Sequence, residues 1–154
     1  MKYLEGITQL LVGAWVGAMA GFAVTAPQIF AAFGPDRQAA GDLAGDMIWR
    51  LNLVGMSLGA VALLLLLARL RERINRWRSA LLAAALALAA FGALYIFPQM
   101  AKAQPPRPIQ EYAVTDPVRI GYNKWHERSR QIFSGAILLG ASVVILGSVR
   151  RETP

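Results

Sequence analysis

Residues 79–101 read SALLAAALALAAFGALYIFPQMA, a run of 23 residues that contains no Asp, Glu, Lys or Arg. Three further uncharged runs cover residues 6–35, 51–68 and 131–149, and the four runs together hold 90 of the 154 residues. A helix that crosses the hydrocarbon core of a bilayer needs about 20 largely apolar residues, because each residue advances about 1.5 Å through about 30 Å. The sequence therefore predicts an all-α protein whose four transmembrane helices form a bundle.

The composition agrees with a membrane protein. Hydrophobic residues make up 56% of the chain and charged residues 16%, against about 45–50% and about 25% in soluble domains. The chain has no cysteine, which excludes disulfides, thiolate-bound metals, iron–sulfur clusters and covalently attached c-type haem. The net charge is +7, but the basic residues cluster at the ends of apolar runs. That placement indicates membrane topology rather than nucleic-acid binding.

We expect one integral membrane domain over residues 1–154. Its spans are expected at about 7–33, 48–69, 79–101 and 127–149. The linker at 69–78 reads RLRERINRWR, with five arginines and one glutamate, and Arg150 and Arg151 follow the last span. Short loops rich in Lys and Arg stay in the cytoplasm. We therefore expect both termini on the cytoplasmic side of a bacterial inner membrane.

The two halves of the chain share a short pattern. The first uncharged run contains Ala26-Pro27-Gln28 and the third contains Phe97-Pro98-Gln99. Each is followed, near the start of the next helix, by a tryptophan and a basic residue, at Trp49-Arg50 and at Trp125-His126. This pattern suggests two parallel helix-pair repeats. Alternatively, the prolines only end or kink their helices.

Small residues recur at four-residue spacing on the first two helices. Lipid tails offer no hydrophobic gain for burying apolar side chains, so membrane helices associate by close packing of small residues. We expect this packing to occur between helices of one chain, with homodimerisation through the first helix as the alternative. The packing glycines are Gly13, Gly17, Gly21, Gly55 and Gly59.

Polar residues gather near the outer ends of the predicted helices. Because no charged residue falls within the four runs, we expect no charged side chain deep in the bundle. Asp46 and Arg50 are spaced to form an i,i+4 ion pair. We therefore predict a polar rim as the working surface. The polar rim consists of Gln28, Arg37, Asp46, Arg50, Asn52, Gln99, His126, Ser129 and Arg130.

His126 is the only histidine. It could ligate haem through one axial bond, hydrogen-bond a quinone, or bind copper together with Met47 or Met100. Metal sites need more ligands than this chain offers, so we expect no metal and no resident cofactor, with haem or quinone at His126 as the alternative. The sequence also has no nucleophile–base set, phosphate loop or zinc motif. A non-enzymatic protein is therefore favoured.

The first helix carries a recognisable signature. Ala26-Pro27-Gln28 with Phe30, followed by Pro35-Asp36-Arg37 and Gly41, resembles the signature of the transmembrane protein 205-like family. Pro98 is similar to the proline that closes the third helix in that family. The segment Trp125-His126-Glu127-Arg128-Ser129 resembles the aromatic–His–x–x–Ser that opens the fourth helix. The resemblance extends over about residues 10–145.

This resemblance implies a four-helix integral membrane protein with signature positions at Phe30, Arg37, Gly41, His126 and Ser129. The bacterial members of that family form a domain of unknown function, and its best-known eukaryotic member is associated with cisplatin resistance. That association suggests transport or trafficking. The chain departs from the family at Ile132–Ser134, where members often carry an asparagine.

Two functions follow as hypotheses. The first is a non-enzymatic accessory subunit or a small-solute or metal-stress transport factor, which acts through the polar rim. It would work as a homodimer or in a larger membrane complex. Its expected partners include the lipid bilayer and exclude nucleic acid. The alternative is a membrane redox protein that binds haem or quinone at His126.

Overall fold

The computed structural model describes residues 2–149, which form five α-helices, a π-helical segment and one short 3₁₀ turn. Helix α3 continues through the π-helical segment into α4, so the chain makes four long rods. The predicted tail residues Arg150 and Arg151 lie outside the described residues. The elements are α1 (Lys2–Ala32), α2 (Arg37–Leu67), α3 (Arg73–Phe91), the π segment (Gly92–Ile96), α4 (Phe97–Lys102), the 3₁₀ turn (Ile109–Glu111) and α5 (Pro117–Val149).

All four rods are long and apolar enough to cross a membrane. The predicted all-α class with four membrane-spanning helices is therefore confirmed. A rod of 30 residues, such as Arg73–Lys102, is about 45 Å long and extends beyond a hydrocarbon core of about 30 Å. The ends of each rod therefore reach the depth of the lipid headgroups.

Helices α2 and α5 begin well before the expected spans. α2 is capped by Asp36, whose carboxylate accepts a hydrogen bond of 3.0 Å from the Ala39 amide. Pro117 is the first residue of α5, a position where proline leaves no hydrogen bond unmade. The Asp116 carboxylate accepts a bond of 2.8 Å from the Val118 amide. The polar segments before these spans are thus largely helical.

The four rods form a ring in which each rod packs on two others. α1 contacts α2 and α5, and α3 contacts the same two helices on the opposite side. The core lies along the axis of this ring and combines one large aromatic ring with alanines, which lets the helices approach closely. It consists of Val12, Trp15, Met19, Ala62, Leu66, Leu82, Ala85, Ala89, Ala136 and Val143.

The glycines of α1 and α2 have different surroundings. Gly55 and Gly59 pack against the indole ring of Trp15, which occupies the space between α1 and α2. In contrast, a Cβ atom at Gly13, Gly17 or Gly21 would meet no atom within 4 Å. The expectation that the α1 glycines pack inside one chain is therefore corrected. Trp15 and its buried neighbours occupy the inward face of α1, and the helical periodicity therefore places these glycines away from that face.

The two prolines of the repeated pattern behave differently. Pro27 lies within α1, which continues to Ala32. Pro98 instead follows the π segment, in which the Phe97 amide donates to the Gly92 carbonyl. A π turn shifts the hydrogen-bond register by one residue and so accommodates the missing proline donor. The two halves of the chain therefore have different helix geometry at Pro27 and Pro98, the two prolines that the sequence pattern relates.

The bundle has two distinct ends. At the linker end, α1 begins, α5 ends, and residues 68–72 join α2 to α3. At the rim end lie the turn at 33–36 and the loop at 103–116. The loop is tied down by hydrogen bonds from Gln104 to the Asp42 carboxylate (3.1 Å) and from Arg119 to the Tyr112 carbonyl (2.8 Å).

Candidate functional site

The polar rim does not form one site. Gln28, Arg37 and His126 are exposed, and Gln99 is half-buried. Their side chains make no hydrogen bond or ion pair in the part of the chain that the structure describes. Two local ion pairs form, Asp46–Arg50 at 2.8 Å, as the spacing predicted, and Glu127–Arg130 at 3.3 Å. Apart from Asn52 and Ser129, the rim residues are thus single side chains and local ion pairs at the surface.

The His126 side chain packs on one aromatic ring, and the neighbouring Trp125 connects α5 to the π segment. The His126 imidazole stacks on the ring of Tyr122, with 6.1 Å between centroids. Trp125 packs edge-on against Tyr95 at 6.1 Å, and the Arg128 guanidinium lies 4.8 Å from the Trp125 ring centroid. Among residues 2–149, no three His, Cys, Asp or Glu side chains form a group that could hold a metal ion.

Two rim residues do come together, below the surface and beside the π segment. Asn52 on α2 is buried, and with Ser129 on α5 it lines a cavity of about 10 Å³. Apolar side chains form the rest of the wall, among them Met19 and Phe133. A polar cavity of this size has room for about one water molecule. The Asn52 amide has no hydrogen-bond partner among the described residues.

The most strongly buried polar group lies at the opposite, linker end. Here Glu5 bridges two arginines, with one carboxylate oxygen 2.7 Å from Nη1 of Arg78 and the other 2.8 Å from Nη1 of Arg69. Asn75 donates to the Arg69 carbonyl (3.1 Å) and accepts from Arg78 Nη1 (3.4 Å). We call Glu5, Arg69, Asn75 and Arg78 the polar clamp. The side chain of Arg78 is 0% exposed.

The clamp joins all four rods. Glu5 belongs to α1, Arg69 follows the end of α2, and Asn75 and Arg78 belong to α3. Arg78 also donates through Nε to the Val143 carbonyl of α5 at 3.2 Å. The Glu5 carboxylate thus pairs with both guanidinium groups where the helix ends converge, and Glu72 lies 3.7 Å from Arg69 as a second, longer ion pair. A buried charge such as that of Arg78 is tolerated only when it is paired in this way.

A second layer of polar side chains surrounds the clamp. Gln9 donates to the Val144 carbonyl at 3.1 Å, and Thr8 donates to the Leu4 carbonyl at 2.8 Å. Gly147 lies so close to Gln9 and to Arg78 that a Cβ atom there would collide with both side chains. The expectation that no charged side chain lies deep in the bundle is therefore wrong at this end.

The sequence did contain a signal for the clamp. The buried positions of α3 include Leu82, Ala85 and Ala89, and the same three- and four-residue spacing continued backwards reaches Arg78 and Asn75. The buried face of α1, continued in the same way, reaches Glu5. Using the linker arginines only as a signal of membrane topology missed this helical phase.

The two buried asparagines, Asn75 in the polar clamp and Asn52 beside the small cavity, allow the two sites to be compared by mutation. Asn75→Ala is expected to lower the free energy of unfolding by about 1–3 kcal/mol, because Asn75 bonds to a backbone carbonyl and to charged Arg78. Asn52→Ala removes an amide without a protein partner and should cost less than about 1 kcal/mol. Equilibrium unfolding in mixed detergent micelles measures both. Equal losses would contradict this assignment of hydrogen bonds.

A comparison with protein families places most of the chain in one family. The family described as domain of unknown function (DUF4149) matches residues 10–108. This range covers most of α1, all of α2, α3 and α4, and the beginning of the loop, but not Glu5 or α5. No curated protein and no solved structure matched the chain.

Proposed function

Because this chain belongs to the DUF4149 family, whose function is unknown, we propose a function from its own geometry. It is an integral membrane protein that acts as a non-enzymatic accessory subunit, and it pairs with a second copy of itself through the exposed face of α1. The observation that supports this proposal is the open space beside Gly13, Gly17 and Gly21.

The exposed face of α1 has the composition of a helix-pairing surface. Ala14, Gly17 and Gly21 lie in line on it and are exposed. Larger exposed side chains, Leu10 and Val24, flank these small residues. Small residues at four-residue spacing let two helix backbones approach closely inside a bilayer, where van der Waals packing drives association. The α1 face provides that geometry, and no other helix of this chain packs on these glycines.

Pairing is tested with a bulky side chain on this face. Gly17→Leu is expected to reduce co-purification of two differently tagged copies from membranes by about tenfold, the effect of losing about 1.4 kcal/mol. Ala60→Leu is the matched control, because Ala60 is exposed on α2 and should leave pairing unchanged. The proposal fails if the wild-type copies do not co-purify, or if both variants behave alike.

The other functions that we consider make different predictions. The cavity beside Asn52, at about 10 Å³, has no room for a solute larger than water, so the geometry does not favour transport through one protomer. The redox function requires His126 to ligate haem or hydrogen-bond a quinone. An accessory subunit predicts no Soret band in the purified protein. A Soret band that His126→Ala abolishes would support the haem-binding redox function instead.

We also propose the narrower relationship and the orientation. The signature residues around Pro27 support a relationship to the transmembrane protein 205-like family. The exposed arginines of the linker support a cytoplasmic linker end in a bacterial inner membrane, since basic loops stay inside. The chain has no cysteine, so a single cysteine at Arg71 reports its side directly. Labelling of that cysteine by a membrane-impermeant maleimide in intact cells would contradict this orientation.

A further inference from the structure

The five linker arginines fall into two groups. Arg69 and Arg78 point into the bundle and pair with Glu5. Arg71, Arg73 and Arg76 are exposed instead. The linker therefore has two neutralised cations inside the protein and three exposed cations on its surface.

Two of the exposed arginines share a hollow with a tryptophan. Arg73, Arg76, Trp77 and Ala80 line an open concavity of about 360 Å³ on the outer face of α3. Their spacing of three and four residues places them on one helix face, and 61% of the Trp77 surface is exposed. The hollow thus combines two guanidinium groups with an indole ring that does not contribute to the protein core.

The hollow lies where α3 changes from charged to apolar. Uncharged sequence begins at Ser79, so this part of the helix lies at the boundary between headgroups and acyl chains, the depth that tryptophan prefers. Beyond Ala80, the exposed face continues with the small residues Ala84 and Ala87. A ligand here would meet cations at its polar end and a shallow apolar surface along its length.

We propose that this hollow binds the headgroup phosphate of an anionic phospholipid. Guanidinium groups bind phosphate oxygens through paired, charge-assisted hydrogen bonds. Arg73 and Arg76 contact the phosphate, Trp77 lies at the level of the headgroup, and an acyl chain runs along the alanine face. The site is separate from the α1 pairing face and does not depend on it.

The test measures lipid retention by native mass spectrometry. Wild-type protein, purified in detergent, is incubated with an equal mixture of phosphatidylglycerol and phosphatidylcholine. We expect preferential retention of phosphatidylglycerol, and a reduction of that preference by about fivefold for each arginine removed in the Arg73→Gln/Arg76→Gln variant. The matched control Arg107→Gln/Lys124→Gln removes two exposed cations at the rim end and should keep the preference.

Three results would overturn the proposal. The first is equal retention of the two lipids by the wild type. The second is an unchanged preference in the Arg73→Gln/Arg76→Gln variant. The third is complete displacement of the bound lipid by inorganic phosphate at millimolar concentration, which would identify the hollow as a site for the free anion. The proposal predicts that inorganic phosphate leaves the bound lipid in place.

Discussion

Replacement of Glu5 by alanine is expected to lower the free energy of unfolding by about 3–5 kcal/mol, because it leaves the buried charge of Arg78 without an acidic partner. Glu5 contacts Arg78 at 2.7 Å and Arg69 at 2.8 Å, and the Arg78 side chain is 0% exposed. Without the carboxylate, the Arg78 guanidinium keeps only an amide and a backbone carbonyl as acceptors. Equilibrium unfolding in mixed micelles measures this loss.

Asp46→Ala is the matched control for this prediction. The Asp46–Arg50 pair has the same short distance, 2.8 Å, but its side chains are 52% and 75% exposed. Exposed i,i+4 pairs contribute only about 0.3–0.5 kcal/mol, so the control should be nearly neutral. The double variant Glu5→Leu/Arg78→Leu should recover part of the lost stability, because no unpaired Arg78 charge remains. Equal losses of unfolding free energy in Glu5→Ala and Asp46→Ala would show that burial does not strengthen the contribution of the clamp to stability.

The second large effect is expected at the contact between α1 and α2. A Cβ atom on Gly55 would overlap Cδ1 and Nε1 of Trp15, a ring that is 2% exposed and cannot move aside. Overpacking of this kind costs about 1–3 kcal/mol, and the rigid ring places Gly55→Ala at the upper end of that range. The same unfolding measurement applies.

Gly45→Ala provides the control for Gly55→Ala. Gly45 is exposed on α2 and a Cβ atom there meets nothing within 4 Å, so the higher helix propensity of alanine should leave stability unchanged or raise it by up to about 1 kcal/mol. Trp15→Phe combined with Gly55→Ala should restore part of the loss, because phenylalanine lacks the indole nitrogen that the new methyl group meets. A neutral Gly55→Ala would contradict the described packing of Trp15.

The class of fold was predictable because lipid imposes a simple requirement on composition. A run such as residues 79–101 has no charged side chain, and its length alone indicates a membrane-spanning helix. The helix starts were less predictable. Proline commonly ends a helix, yet Pro117 is the first residue of α5, where proline is accommodated at no cost. The hydrogen bond that Asp116 accepts from the Val118 amide marks this proline as a helix start and not a helix end.

The site was harder to predict, since charge and burial had to be considered together. Arg78 looks like one more cation in a basic linker, but its helical phase turns it inward, towards Glu5, which lies 73 residues earlier in the chain. No local pattern reveals a contact between residues so far apart in the chain. His126 is exposed and stacks on Tyr122, and haem or quinone at this residue stays an alternative prediction.

The clamp and the surface arginines give the linker end two separate roles. Glu5 holds the start of α1 against α3 and, through Arg78, against the end of α5. With those charges neutralised inside, the exposed cations Arg73 and Arg76 remain available to the membrane surface. The five arginines of the linker are therefore not interchangeable, although the sequence presents them as one cluster.

Arginine modification in the wild-type protein tests this division most directly. The detergent-purified protein is treated with phenylglyoxal for increasing times, digested, and analysed by mass spectrometry for the modification rate at each arginine. Arg71, Arg73 and Arg76 should react at least about tenfold faster than Arg78, whose modification requires local opening of the bundle. Modification of Arg78 at the same rate as Arg76 would contradict the buried polar clamp.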